Sequence, residues 1–116
     1  AGYLVYLERL ASDPAAPRAL NFGPRPGGPE LTVGELATRA TQALGAKPWR
    51  HEPDPQSLEA KSLGIDASLA RQVLGFESRL DAPAAVEWTM DWYRAQADGG
   101  DALNLVRDQI SRYESL

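Results

Sequence analysis

The stretch between Ile65 and Ala95 constrains the fold more than any other part of this chain. A short helical pattern in it ends at Gly75, since glycine readily adopts the left-handed conformation that terminates helices. Asp81 is a suitable N-cap, and Pro83 fits the first turn of the helix that follows. That helix is long and amphipathic, so helices joined by tight turns are expected. Its apolar stripe consists of Ala85, Trp88, Thr89, Trp92 and Tyr93.

Three further helices are predicted outside this stretch. The first carries leucines at helical spacing between residues 4 and 10 and should end before Pro14, because proline disfavours helix in the preceding residue. The second begins at Thr32, where Glu35 completes the spacing of a capping box, and ends near Gly45. The last follows the break at Gly99 and Gly100. Its apolar positions are Leu103, Val106, Ile110 and Tyr113.

Strands are predicted in three short segments. Residues 18–23 form an apolar run between two prolines, residues 62–66 alternate weakly, and residues 48–51 are a further candidate. A chain of 116 residues is long enough for one domain and too short for two. The sequence therefore predicts a single domain over residues 1–116 of the α+β, or open α/β, class. It is mostly helical with a few short strands.

Charge and composition exclude several classes of function. The net charge of −4 and the pI of about 4.9 argue against binding to nucleic acid or to anionic membranes, which requires a basic surface. There are no cysteines, so disulfides and cysteine zinc sites are excluded. The sequence shows no apolar run long enough for a membrane span and no signal peptide, and the predicted location is the cytoplasm.

The sequence lacks the usual motifs of cofactor and metal binding. It contains no GxGxxG, Walker or HExxH motif, and a single histidine cannot build a His-rich metal site. The glycine cluster from Gly23 to Gly28 is stiffened by two prolines and leads into no immediate helix, which is typical of a loop rather than a phosphate cradle. His51 beside Glu52 is either a general base with its orienting partner or a polar residue at a strand end. No catalytic, cofactor-binding or metal-binding residue is predicted within this chain.

Carboxylates and aromatic residues each permit two interpretations. Asp54, Glu59 and Asp66 lie near one another in sequence, so acid–base work is conceivable; the simpler roles are a loop charge for Asp54 and helix capping for Asp66. The aromatic side chains of the long helix have the spacing of a packed core. A surface for a partner helix, formed by Trp88, Trp92 and Tyr93, is the alternative.

Several segments of the chain resemble one enzyme family. They are AGYL at residues 1–4, LNFGP at 20–24, TVGEL at 32–36, DPQSLEA at 54–60, LGIDASLA at 63–70, LGF at 74–76 and WTMDWY at 88–93. In this order they resemble the C-terminal part of CDP-glucose 4,6-dehydratases, members of the extended short-chain dehydrogenase/reductase and NAD-dependent epimerase/dehydratase superfamily. The sequence departs from the family pattern at Leu58, Lys61 and Ser62.

This resemblance implies a substrate-binding lobe without the Rossmann core. In the full-length enzyme, an N-terminal Rossmann domain would hold NAD, and CDP-glucose would be converted to CDP-4-keto-6-deoxyglucose. The loop from Pro55 to Ala60 would lie near the nucleotide sugar, with Glu59 accepting hydrogen bonds from sugar hydroxyls and with Gln56 and Ser57 beside it.

Two further expectations concern the chain as a piece of such an enzyme. It begins with an apolar helix face, without an initiator Met or a polar cap, and is therefore expected to be a fragment of a longer enzyme. The fragment is expected to be inactive by itself and to bind no NAD. The full-length enzyme is a possible homodimer. The alternatives are a lobe of another nucleotide-sugar epimerase or reductase, and a free-standing helical protein-interaction module.

Overall fold

Five α-helices make up the regular structure of the computed structural model, which describes residues 1–54, 56 and 64–116. The helices are α1 (Gly2–Ser12), α2 (Val33–Ala43), α3 (Ser68–Leu74), α4 (Ala82–Ala97) and α5 (Ala102–Glu114). Within the described residues no strand is present. The mostly helical character predicted from the sequence is therefore confirmed, and the strands are not.

The chain divides into two compact units. Unit 1 comprises Ala1–Gly27 and Asp54–Ser78 and contains α1 and α3; unit 2 comprises Gly28–Pro53 and Arg79–Leu116 and contains α2, α4 and α5. Each unit is built from two separate stretches of the sequence. The single domain expected over residues 1–116 stays a prediction.

An aromatic group around Gly2 forms the centre of unit 1. Gly2 is buried, and a Cβ atom at this position would lie 2.7 Å from Cδ1 of Phe22 and 2.9 Å from Cε1 of Phe76. The Phe22 ring meets Tyr3 edge-on, with 5.2 Å between ring centroids, and Phe76 at 5.8 Å. The Tyr6 hydroxyl donates a 2.6 Å hydrogen bond to the Pro17 carbonyl. A residue without a side chain in α1 thus allows these rings to pack against the helix.

Small residues fill the remaining interior of unit 1. Ala70 in α3, which packs against α1, is 1% exposed, and Ala16 and Ala67 are also buried. The Asp66 carboxylate accepts a 2.8 Å hydrogen bond from the backbone N–H of Ser68, the first residue of α3. The helix ends at Gly75, whose φ of 62° is left-handed, as predicted. Aromatic and alanine packing therefore provides the interior of this unit.

Side-chain caps define the starts of the helices in unit 2. The capping box predicted at α2 is confirmed: the backbone N–H of Thr32 donates to Glu35 at 2.8 Å, and the backbone N–H of Glu35 donates to the Thr32 hydroxyl at 3.2 Å. Asp81 caps α4 by accepting from the N–H of Ala84 at 2.8 Å, with Pro83 in the first turn. Asp101 caps α5 in the same way.

In unit 2, α4 packs against both α2 and α5. The guanidinium of Arg112 in α5 lies over the Trp88 ring of α4, 3.9 Å from the ring centroid. The side-chain amide of Gln109 donates a 2.7 Å hydrogen bond to the Trp88 carbonyl. No residue of unit 2 is buried, and on the outer face of α5 Leu103 is 57% and Ile110 52% exposed. Polar and cation–π contacts therefore join α4 to α5 where no deep apolar core exists.

The segments predicted as strands are loops where they are described. Residues 18–23 and 48–51 adopt no regular structure, and neither do residues 64–66; residues 62 and 63 lie outside the described part of the chain. A strand requires a neighbouring strand for its backbone hydrogen bonds, and the prolines at 17, 24 and 48 remove donors at the ends of these segments. Their apolar residues pack instead against helices, Phe22 against α1 and Trp49 against α2.

Candidate functional site

The predicted substrate-binding residues fall at the edge of the described structure. Gln56 is exposed, and its backbone N–H donates a 2.9 Å hydrogen bond to Oδ1 of Asp54. This is an Asx-type turn, in which a carboxylate fixes the backbone two residues further on. Ser57 and Glu59 lie outside the described residues. The structure thus assigns a local role to Asp54 and leaves Gln56 accessible to solvent.

The N-cap of α3 is Ala67, without a side-chain hydrogen bond, so Asp66 is not the N-cap predicted; its carboxylate instead holds the first backbone N–H of the helix from the preceding residue. Its carboxylate accepts hydrogen bonds at the start of α3, and the backbone N–H of Ser68 is the main cause that lowers its pKa, followed by the Ser68 side chain. A lowered pKa keeps the group ionised near neutral pH, so Asp66 is a poor general acid there. Glu59, the third carboxylate considered, lies outside the described residues.

The loop between Gly23 and Gly28 is held by Arg25. Its guanidinium donates a 3.2 Å hydrogen bond to the Ser78 carbonyl and lies 3.6 Å from the Glu77 carboxylate. The loop is followed by further irregular chain before α2, so it does not lead directly into a helix. These residues form a loop, as predicted.

The aromatic residues of α4 are mostly engaged within unit 2. Trp88 is half-buried beneath Arg112, and Trp92 is half-buried with its ring edge-on to Tyr93 at 5.3 Å. The indole N–H of Trp92 is buried and has no acceptor among the described residues. Tyr93 is 51% exposed. The packing interpretation therefore holds for the tryptophans, and the predicted aromatic partner surface is reduced to Tyr93.

The structure also contains a groove that the sequence did not indicate, formed by one face of α2 and Trp49. It is a wide-open depression, with about 630 Å³ of solvent-accessible space above its lining residues. Its lining residues are Thr32, Gly34, Glu35, Thr38, Arg39, Gln42 and Trp49. All of them belong to unit 2. Below, this feature is called the Trp49 groove.

Trp49 is fixed in the groove from two sides. Its indole N–H donates a 2.9 Å hydrogen bond to the hydroxyl of Thr38, which itself donates to the Gly34 carbonyl at 2.7 Å. A Cβ atom on Gly34 would lie 3.1 Å from Cζ2 of the indole, so the glycine allows the ring to approach α2 closely. The His51 ring lies edge-on to Trp49 at 6.4 Å. Trp49 nevertheless remains 42% exposed.

Charged and polar side chains lie beside this ring. Glu35, Arg39 and Gln42 are spaced four and three residues apart and therefore share one face of α2. Hydrogen bonding with Thr32, first through its backbone N–H and then through its side chain, lowers the pKa of Glu35, and Arg39 adds a smaller electrostatic contribution. The groove thus combines an aromatic ring with an ionised acceptor, a cationic donor and an amide.

Sequence reasoning missed this groove because none of its residues forms a recognisable binding motif. Gly34 and Thr38 lie inside a helix, where the pattern predicts a capped amphipathic segment, and Trp49 lies in a loop eleven residues beyond Thr38. The pairing of these residues depends on how the chain folds back after Gly45. A tryptophan in a proline-bounded segment was the single available sign.

Metal binding and membrane crossing find no support in the described residues. No group of His, Asp or Glu side chains there is arranged to hold a metal ion. None of the described helices has the length and apolar character to cross a bilayer.

When the chain is compared with protein-family models, with curated proteins and with solved structures, none of them matches it.

Proposed function

We propose that this chain is the nucleotide-sugar-binding C-terminal lobe of a CDP-glucose 4,6-dehydratase-like enzyme. In the proposal, an N-terminal Rossmann domain supplies NAD and the catalytic residues. The loop from Pro55 to Ala60 contacts the substrate. Glu59 accepts hydrogen bonds from sugar hydroxyls, and Gln56 and Ser57 contribute polar contacts. A carboxylate suits this role because its hydrogen bonds to hydroxyl donors are charge-assisted.

The observation that carries the proposal is the order of the family-like segments along the sequence. The NFGP motif at residues 21–24 and the PQxxEA motif at residues 55–60 are the most specific parts of this resemblance. Two features of the described residues are compatible with a binding loop. Gln56 is exposed, and Asp54 fixes the backbone that leads into the loop.

Calorimetric titration of the chain with CDP-glucose tests this proposal. Weak binding is expected, and Glu59→Ala should lower the affinity at least about tenfold, because hydrogen bonds to a charged group contribute about 1.5–3 kcal/mol. Glu30→Ala is the matched control, since Glu30 is an exposed loop carboxylate outside the segment from Pro55 to Ala60. The site assignment is contradicted if the Glu59 variant binds as tightly as the parent chain.

An activity measurement tests whether catalysis and substrate binding reside in different domains. With NAD and CDP-glucose present, the chain alone should give no 4-keto product, because the proposal places all catalytic groups in another domain. Turnover by the isolated chain would overturn that part of the proposal. A glycine-rich dinucleotide motif encoded upstream in the same reading frame would support it.

The exposed face of α5 favours a second candidate, a helical protein-interaction module. Leu103, Val106 and Ile110 lie at helical spacing and are exposed, whereas the tryptophans of α4 are half-buried. This candidate predicts no response to CDP-glucose. It also predicts concentration-dependent association by sedimentation that Ile110→Lys abolishes and Asp108→Lys, a matched charge change of α5, does not.

A further inference from the structure

We propose that the Trp49 groove is a binding site for an uncharged sugar ring, with the indole as the apolar platform. None of its lining residues belongs to the loop from Pro55 to Ala60, so the inference goes beyond the proposed function and does not depend on it. It rests on three properties of the groove: a fixed and accessible indole, donors and acceptors side by side, and a balance of charge.

The indole is already held in place before any ligand arrives. The hydrogen bond to Thr38 and the close approach at Gly34 restrict Trp49, so binding a ligand on its exposed surface requires little additional ordering. Fixed groups bind more tightly because less conformational entropy is lost. A sugar ring presents C–H groups on one face and hydroxyls around its edge, which suits an aromatic side chain that is apolar in its body and half-exposed.

The neighbouring side chains match the edge of such a ring. A hydroxyl both donates and accepts, and a polyhydroxylated ligand therefore requires both kinds of partner. Glu35 is an acceptor, Arg39 a donor, and the amide of Gln42 is both. Their spacing along one helix face, three and four residues apart, suits several hydroxyls of one ring.

The charges of the groove favour an uncharged ligand over a phosphorylated one. Glu35 contributes one negative charge and Arg39 one positive charge, and the lowered pKa of Glu35 keeps its carboxylate ionised. An approaching phosphate would be attracted by Arg39 but repelled by Glu35, so the two effects oppose each other. A neutral polyol gains hydrogen bonds from both residues without that conflict.

Titration of the chain with methyl glucoside, methyl galactoside and methyl mannoside, followed by the NMR signal of the Trp49 indole N–H, tests this site. The indole signal is assigned with Trp49→Phe. At least one sugar should shift it saturably, with a dissociation constant on the order of 1 mM or weaker, as expected for a single small ring. Trp49→Ala lacks this signal and is therefore followed by the backbone amide signals of Gly34 and Thr38, which also line the groove. It should weaken sugar binding at least about tenfold, and Gln42→Ala by a smaller factor.

Tyr93→Ala is the matched control, because Tyr93 is another half-exposed aromatic residue of unit 2 that does not line the groove. It should leave sugar binding unchanged, while circular dichroism shows whether each variant keeps its helices. The inference is overturned if none of the sugars shifts the Trp49 signal. It is equally overturned if cytidine shifts the signal and the sugars do not, or if Trp49→Ala keeps its helices and its full sugar affinity.

Discussion

The two units of this chain are stabilised in different ways. Unit 1 contains all the buried residues of the described structure, and they are small: Gly2, Ala16, Ala67 and Ala70. Its helix α1 begins without a side-chain cap. Unit 2 has no buried residue, yet each of its three helices begins with a side-chain cap. Close packing around small residues therefore dominates in one unit, and local hydrogen bonds at helix ends dominate in the other.

Phe22→Ala should have the largest effect on stability and would show how far unit 1 depends on its aromatic packing. Phe22 contacts Tyr3, Tyr6 and Phe76, and removing its ring leaves the space beside Gly2 unfilled. We expect the free energy of unfolding in urea to fall by about 2–3 kcal/mol, below the range for a fully buried phenylalanine because the side chain is half-buried.

Leu103→Ala in unit 2 is the comparison for that variant. Leu103 is an exposed residue of α5, and truncating it should change the free energy of unfolding by less than about 0.5 kcal/mol. Equal losses for the two variants would contradict the distinction between the units.

Asp81→Ala should have an intermediate effect and tests the dependence of unit 2 on its caps. The variant loses the acceptor for the backbone N–H of Ala84 at the start of α4, which packs against both other helices of the unit. A loss of about 1 kcal/mol is expected in urea unfolding. Asp81→Asn keeps an acceptor and should retain most of the stability. If Asp81→Ala is neutral, the caps contribute less to unit 2 than its helix contacts.

The smallest effect is expected from the pH dependence of single carboxylates, one in each unit. Hydrogen bonds lower the pKa of Glu35 in unit 2 below its ordinary value of 4.5 and the pKa of Asp66 in unit 1 below 3.8. A carboxyl whose pKa is lower in the folded state stabilises the fold fully above its ordinary pKa, and this contribution is lost as the pH falls through the folded value. Acidification should therefore weaken the start of α2 and the start of α3 as these two carboxylates become protonated, each below its ordinary pKa.

Hydrogen exchange of the first amides of α2 and α3 between pH 5 and pH 3 measures this loss of protection, after correction for intrinsic exchange rates. Glu35→Gln should remove the pH dependence at α2 and leave α3 unchanged, and Glu30→Gln should affect neither. Protection at α2 that does not change with pH in the parent chain would contradict the assigned role of Glu35.

The same difference between the units explains what the sequence could predict. In unit 2, residues with strong local preferences mark where helices begin. Thr32 with Glu35 marks α2 and Asp81 with Pro83 marks α4, and both predictions are confirmed. The interior of unit 1 depends on Gly2 and on alanines, which carry no local signal of burial. The loop at residues 18–23 has the composition of a strand. It lacks a partner strand, and this depends on the packing of distant parts of the chain, which local sequence does not predict.

The candidate sites divide in a similar way. That Asp66 holds the start of α3 could be predicted from its position before a helical pattern, although the N-cap itself is Ala67. The contact of Trp49 with Gly34 and Thr38 could not be predicted, because it joins a loop to a helix that precedes it in the chain.

The distribution of tryptophan gives the two units different optical properties. All three tryptophans, Trp49, Trp88 and Trp92, belong to unit 2, whereas the aromatic group of unit 1 contains tyrosine and phenylalanine. Fluorescence excited where tryptophan alone absorbs therefore reports on unit 2, while far-ultraviolet circular dichroism records helices of both. Coincident unfolding curves from the two probes would identify one cooperative transition. Separated curves would give the stability of each unit from the unaltered chain, without a label or a substitution.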